Sequence, residues 1–83
     1  MDNTLTKQRD ELVTALLRDY RDAGLTFRIP GDWSRGKFIP SRTRVSFDTH
    51  ALSQPQRFAL EDRIRRNGAQ LQFPSEHVVV ACF

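Results

Sequence analysis

A single cysteine, Cys82, stands in the whole chain, so no disulfide can form within it. No charged stretch followed by an apolar run opens the sequence, and the expectation is a cytoplasmic protein in a reducing environment. Long hydrophobic runs are missing too. The longest, Val78 to Phe83, falls far short of the ~20 apolar residues that a spanning helix needs, so no membrane partner is expected. Glycine-rich phosphate loops, the G-x-S-x-G elbow and dinucleotide fingerprints are all lacking, which removes the enzyme classes that depend on them.

Metal-binding spacing is equally scarce. A zinc site draws on three or four His, Cys or carboxylate ligands, commonly with a recognisable paired spacing. The only close pair is Asp48 with His50, so neither a metal nor a cofactor is expected. Cys82 lies inside Val-Val-Val-Ala-Cys-Phe, where a thiolate lacks the accessible, electropositive surroundings of a nucleophile. It reads as a small hydrophobic core residue. Glu61 and Asp62 adjoin on one helix, point in different directions and form no acid–base dyad. No catalytic residue is assigned.

Apolar residues at 39% and charged residues at 28% belong to a folding chain rather than a disordered one. Its 83 residues are read as a single domain, 1–83, with a core near the lower limit of self-sufficiency. The chain is written around one unit used twice: a helix, a glycine stop, an alternating strand, then proline. One copy ends Arg21-Asp22-Ala23-Gly24-Leu25-Thr26-Phe27-Arg28-Ile29-Pro30, the other Arg65-Arg66-Asn67-Gly68-Ala69-Gln70-Leu71-Gln72-Phe73-Pro74.

The elements follow from local signals. Leu5, Leu12, Val13, Leu16, Leu17 and Tyr20 recur at helical spacing over 4–23. Gly24 fits the left-handed position after a helix, with Leu25 folding back on Tyr20. A strand over 25–29, a loop over 30–42 and a strand over 43–47 come next. Ser53 and Gln56 form a capping box for a helix over 54–67, with Pro55 in the tolerant first turn. Strands over 69–73 and 77–83 close the chain, joined by a tight Pro74-Ser75-Glu76 connection. The unbroken apolar character of the last strand predicts cover on both faces, in the middle of the sheet or at a subunit interface. The fold expected is α+β, in the order α-β-β-α-β-β, with one four-stranded antiparallel sheet and two helices on one face. A duplicated αββ unit would generate it.

Net charge is +3, and its distribution is uneven. Between Arg28 and Arg44 five basic residues face the single acid Asp32, while the rest of the chain nearly balances. Arginine outnumbers lysine eleven to two, and the guanidinium suits bidentate contact with phosphate or carboxylate. The basic residues at the end of the second helix, Arg57, Arg63, Arg65 and Arg66, read as a solvated face favoured by the helix dipole.

The loop taken with the start of the next strand, Asp32 to Arg44, interleaves Trp33 and Phe38 with Arg35, Lys37, Arg42 and Arg44. Its length is uncommon in a small domain unless the loop has a function. Either its aromatic residues fold back as a lid on the core, or they face a partner. The second reading makes the protein a small non-enzymatic regulator or inhibitor docking on a protein or nucleoprotein through Trp33, Arg35, Lys37, Phe38, Arg42 and Arg44. Direct nucleic-acid binding is the alternative, since aromatic faces and guanidinium groups also suit bases and phosphates. A small toxin-type ribonuclease using His50, Arg42, Arg44 and Arg66 comes third. Self-association through Val78–Phe83 or an open sheet edge is a further expectation.

Overall fold

The computed structural model describes residues 3–83. Its elements are α1 (Thr4–Tyr20), a 3-10 turn (Arg21–Ala23), β1 (Thr26–Arg28), β2 (Gly31–Ser34), β3 (Lys37–Pro40), β4 (Arg44–Asp48), α2 (Gln54–Arg66), β5 (Gln70–Ser75) and β6 (Val78–Cys82). Four strands form one antiparallel sheet in the order β1-β4-β6-β5, and β2 pairs with β3 as a separate ribbon. The order is the one that two αββ units produce: each supplies an outer strand, then an inner one, and the inner strands meet in the middle.

Both helices cover the same face. Directly opposed residues of an antiparallel pair share a face, and Val45 lies opposite Ala81 while Phe47 lies opposite Val79. These four join Leu12, Val13 and Leu16 of α1 and Leu60 and Ile64 of α2 in one buried cluster. Phe47, Leu16, Leu60, Ile64, Val45 and Val79 are essentially inaccessible to solvent. Leu5, which falls on the apolar stripe by spacing, is exposed, because the stripe meets the sheet only from Leu12 onward.

Local chemistry sets the helix ends. Gly24 adopts φ +90, its N–H donates to the Arg21 carbonyl, and Leu25 N–H donates to Tyr20. A Cβ at Gly24 would also stand 2.8 Å from that of Ala51, so glycine is required twice over, by conformation and by space. At α2 the capping box is complete: Gln56 N–H donates to Ser53 Oγ (3.3 Å), and Ser53 N–H donates to Gln56 Oε1 (2.9 Å). Such a cap contributes about 1 kcal/mol, which matters for a helix with only two apolar residues in the core. Phe58 and Ala59 point into solvent.

Two expectations about the last hairpin change. β5 continues through Pro74 to Ser75, with an irregular register between Gln72 and Ser75, and Glu76–His77 is left as the turn. Proline is admitted because β5 is an edge strand, where a missing donor and a bulge are tolerated. β6 is central, yet it is covered on one face only. Val79 and Ala81 are buried, whereas Val78, Val80 and Cys82 on the other face are half-buried. Cys82 is therefore not a core residue; it lies on the open face opposite Arg44 and Gln70. With both edges of β6 paired, Val78–Phe83 has no free edge to offer a second copy, and the open edges are β1 and β5.

Candidate docking arm

The segment expected as a loop over 30–42 is a β-hairpin. β2 and β3 pair in the register Gly31–Pro40, Asp32–Ile39, Trp33–Phe38 and Ser34–Lys37. Arg35 and Gly36 form its two-residue tip with φ values of 51 and 77. Two successive positive φ angles give the turn whose twist matches the flanking strands. Asparagine or aspartate before glycine usually marks such a turn. Arginine at the first position hides it from a sequence reading.

None of the eight strand residues of this hairpin is buried. It is an arm that leaves the body where β1 and β4 part, not a lid. Trp33 is 74% exposed, and its ring meets Phe38 edge-on, with centroids 5.6 Å apart at 64°. Gly31 lies on the same side of the ribbon. A Cβ there would sit 2.2 Å from the Ile39 carbonyl oxygen and 2.8 Å from the Phe38 ring. Glycine at 31 is what lets the two strands and the Phe38 ring close together.

α1 holds the base of the arm. Arg9 is buried at 7% exposure; its Nη1 donates to the carbonyls of Ser41 and Arg44, and its Nε pairs with Asp10 at 3.1 Å. Thr6 Oγ1 donates to the Arg42 carbonyl at 2.8 Å. Ser41 closes the joint: its N–H donates to the Pro30 carbonyl, and its Oγ accepts from the N–H groups of Thr43 and Arg44. Sequence reasoning assigned Arg9 no role. Its position is one turn before Leu12 and Val13, on the apolar face of α1, and a cation inside an apolar stripe is the signal that was there to be read.

The basic residues fall into two sets. On α2, Arg57 and Arg65 reach Glu61, and Arg66 reaches Asp62. Arg63 bridges to Asp19 on α1. The Arg63 guanidinium, followed by that of Arg18, lowers the Asp19 pKa below its ordinary value. Among the described residues, by contrast, the side chains of Arg28, Arg35, Lys37 and Arg44 have no carboxylate partner. Arg28 lies opposite Ser46 on β4, and Arg44 is two residues from Ser46. Both therefore share the open face of the sheet at the root of the arm, with Lys37 and Arg35 at its tip. Arg28 is a neighbour that the sequence reading left out of the site.

The residues considered for ribonuclease chemistry are dispersed. His50 lies beyond the far end of β4 from Arg44, and a strand rises ~3.4 Å per residue. Arg66 is engaged by Asp62 on α2. His50 instead meets His77 edge-on, with ring centroids 5.6 Å apart. Asp48 accepts the backbone N–H of His50, and buried Thr49 donates both its N–H and its hydroxyl to the His77 carbonyl. Asp48-Thr49-His50 thus ties the β4–α2 connection to the β5–β6 turn. Among the described residues no group of three or more potential ligands could hold a metal, and no helix is long and apolar enough to cross a membrane.

Comparison with protein families, with curated proteins and with solved structures finds no match to this chain.

Proposed function

We propose that this protein is a small non-catalytic regulator or inhibitor that docks on a macromolecular partner, a protein or nucleoprotein, through the β2–β3 arm. Trp33, Arg35, Lys37, Phe38, Arg42 and Arg44 are its contact residues. The observation that carries the reading is the exposed Trp33–Phe38 pair on an arm outside the core. A tryptophan left in water forgoes roughly the burial energy of a large side chain, about 25 cal/mol for each Å². Tryptophan and arginine are also the side chains most enriched where binding energy concentrates. Hydrogen bonds from Arg9, Thr6 and Ser41 hold the root of the arm, which lowers the ordering cost of binding there. The test is a pull-down from native cells with the Trp33→Ala, Arg35→Ala double variant. Loss of a specific partner with the fold retained is the expected result. Retention of that partner by the folded variant removes the arm from the interaction.

Direct nucleic-acid binding is the second reading, supported by the cations at the root and tip of the arm that lack a carboxylate partner. It requires affinity that falls steeply with salt as phosphates release their counterions. Absence of binding to any single- or double-stranded probe at low salt eliminates it.

A further inference from the structure

A second surface begins at the root of the arm and runs back along β1. β1 has one neighbour, β4, so the outward N–H and C=O groups of Thr26–Arg28 are unpaired among the described residues. Natural proteins usually shield such an edge with a bulge, a charge pointing into it or a covering segment. β1 is short, at three residues, but no described segment covers it. Phe27 lies opposite Phe47 and shares its helix-facing side, yet Phe27 is 40% exposed while Phe47 is fully buried. The apolar layer under α1 therefore runs out past the last strand. A groove of about 660 Å³ opens there between α1 and β1, with Leu17, Leu25 and Phe27 in its floor and Arg18 and Arg21 on its rim.

Both sides of this edge carry guanidinium groups. Arg21 flanks the helix-facing side and Arg28 the open face, and neither has a carboxylate partner among the described residues. No acidic residue lines the groove, while on the open face Asp48 stands opposite Thr26, one alternate position along from Arg28. We infer that the β1 edge binds an extended segment of another protein, with apolar residues alternating with acidic ones, which joins the sheet as an added strand. Its backbone pairs with Thr26–Arg28. Its apolar side chains enter the groove under α1, and its carboxylates meet Arg28 across the strand pair, with one at the rim meeting Arg21. Main-chain pairing supplies affinity in this mode and alternate side-chain positions supply selectivity.

A second copy of the chain is the poorer occupant. Two β1 edges joined antiparallel about Phe27 set Arg28 of each copy opposite Thr26 of the other, so the added strand brings no carboxylate to either arginine. A β5 edge presents Gln70 and Gln72 rather than acids, and stacking β5 on β1 gives an open-ended chain. Nucleic acid has no counterpart to the strand's backbone pattern or to the apolar floor.

The test uses a fluorescein-labelled peptide alternating valine with glutamate, titrated by anisotropy. It is run beside a version with lysine for glutamate and one N-methylated at alternate amides. The glutamate peptide is expected to bind and to shift the amide NMR signals of Thr26–Arg28. The lysine peptide should bind at least about tenfold more weakly, and the N-methylated one not at all. Arg28→Glu should weaken the glutamate peptide by about tenfold, with Arg28→Ala giving a smaller change in the same direction and Trp33→Ala none. Arg28 is exposed, and circular dichroism checks that the variants fold. Failure of the glutamate peptide to bind overturns the proposal. So does equal binding of either control peptide, indifference to the arginine variants, or shifts that miss Thr26–Arg28. A micromolar dimer in sedimentation that Phe27→Asp converts to monomer assigns the edge to a second copy and also overturns it.

Discussion

Arg9 and Trp33 exchange the places that their side chains would suggest, the cation inside and the indole outside. Burying a guanidinium is tolerable when its N–H groups are satisfied, and Arg9 spends them on two carbonyls at the arm root and on Asp10. Hydrogen bonds to charged groups contribute about 1.5–3 kcal/mol each in net terms, and they survive only if donor and acceptors stay together. Replacing Arg9 with Leu leaves the Ser41 and Arg44 carbonyls under an apolar side chain. The expected loss is about 1–3 kcal/mol of stability in urea unfolding, with lower Trp33 fluorescence anisotropy as the arm loosens. Unchanged anisotropy in a destabilised variant would mean that the arm holds its place without Arg9. As the only tryptophan in the chain, Trp33 reports on the arm without a label. Its emission should be that of a hydrated indole, readily quenched by acrylamide in the native state. A blue-shifted, protected native emission would contradict an exposed arm.

At the scale of elements, the arm depends on Gly31 more than on the tip glycine. Gly36 needs glycine for its positive φ but has open space around it, whereas a methyl at 31 runs into the backbone of β3. Gly31→Ala should therefore break the β2–β3 register while the four-stranded sheet persists. Loss of the cross-strand amide contacts between Trp33 and Phe38 by NMR, with those between Phe47 and Val79 retained, is the expected pattern. An intact Trp33–Phe38 contact in that variant would show that the strands can part enough to admit a methyl group. The helices were legible in advance because their signals are local: the Ser53–Gln56 box, the glycine after each helix and the spacing of Leu12, Leu16, Leu60 and Ile64. The hairpin was not, since its turn carries arginine where asparagine or aspartate is usual, and its alternation is broken by charged residues on a ribbon with no buried face.

For the molecule as a whole, the link between the two αββ units includes one charged tie outside the core, Arg63 of α2 to Asp19 of α1. The Arg63 hydrogen bond is the main reason that the Asp19 pKa lies below its unfolded value, with Arg18 second. A depressed carboxylate pKa contributes stability that is present above the unfolded value of about 3.9 and disappears as pH falls through the folded one. Asp19→Asn should accordingly be less stable than the parent at neutral pH, with the difference in urea midpoint closing below about pH 4. A difference that persists undiminished in acid would assign the effect to shape rather than charge. At this same scale the charges separate: the α2 arginines are neutralised by Asp19, Glu61 and Asp62, whereas Arg28, Arg35, Lys37 and Arg44 have no carboxylate partner among the described residues.

Sequence alone determined the fold class, the repeated helix–glycine–strand–proline unit, the glycine after each helix, the Ser53 cap and the helical core residues Leu12, Val13, Leu16, Leu60 and Ile64. Each of these rests on contacts between near neighbours or on periodicity, which the chain carries wherever it goes. It also pointed to the segment 32–44 by its charge and aromatic content. Only the tertiary structure decided that this segment is an arm rather than a lid, that Arg9 roots it, that Cys82 lies on an open face and that the β1 edge is uncovered. Exposure at those positions depends on whether a distant element reaches across them. With two helices laid on one face of four strands, no element among the described residues is left to cover the arm, the open face of the sheet or the β1 edge.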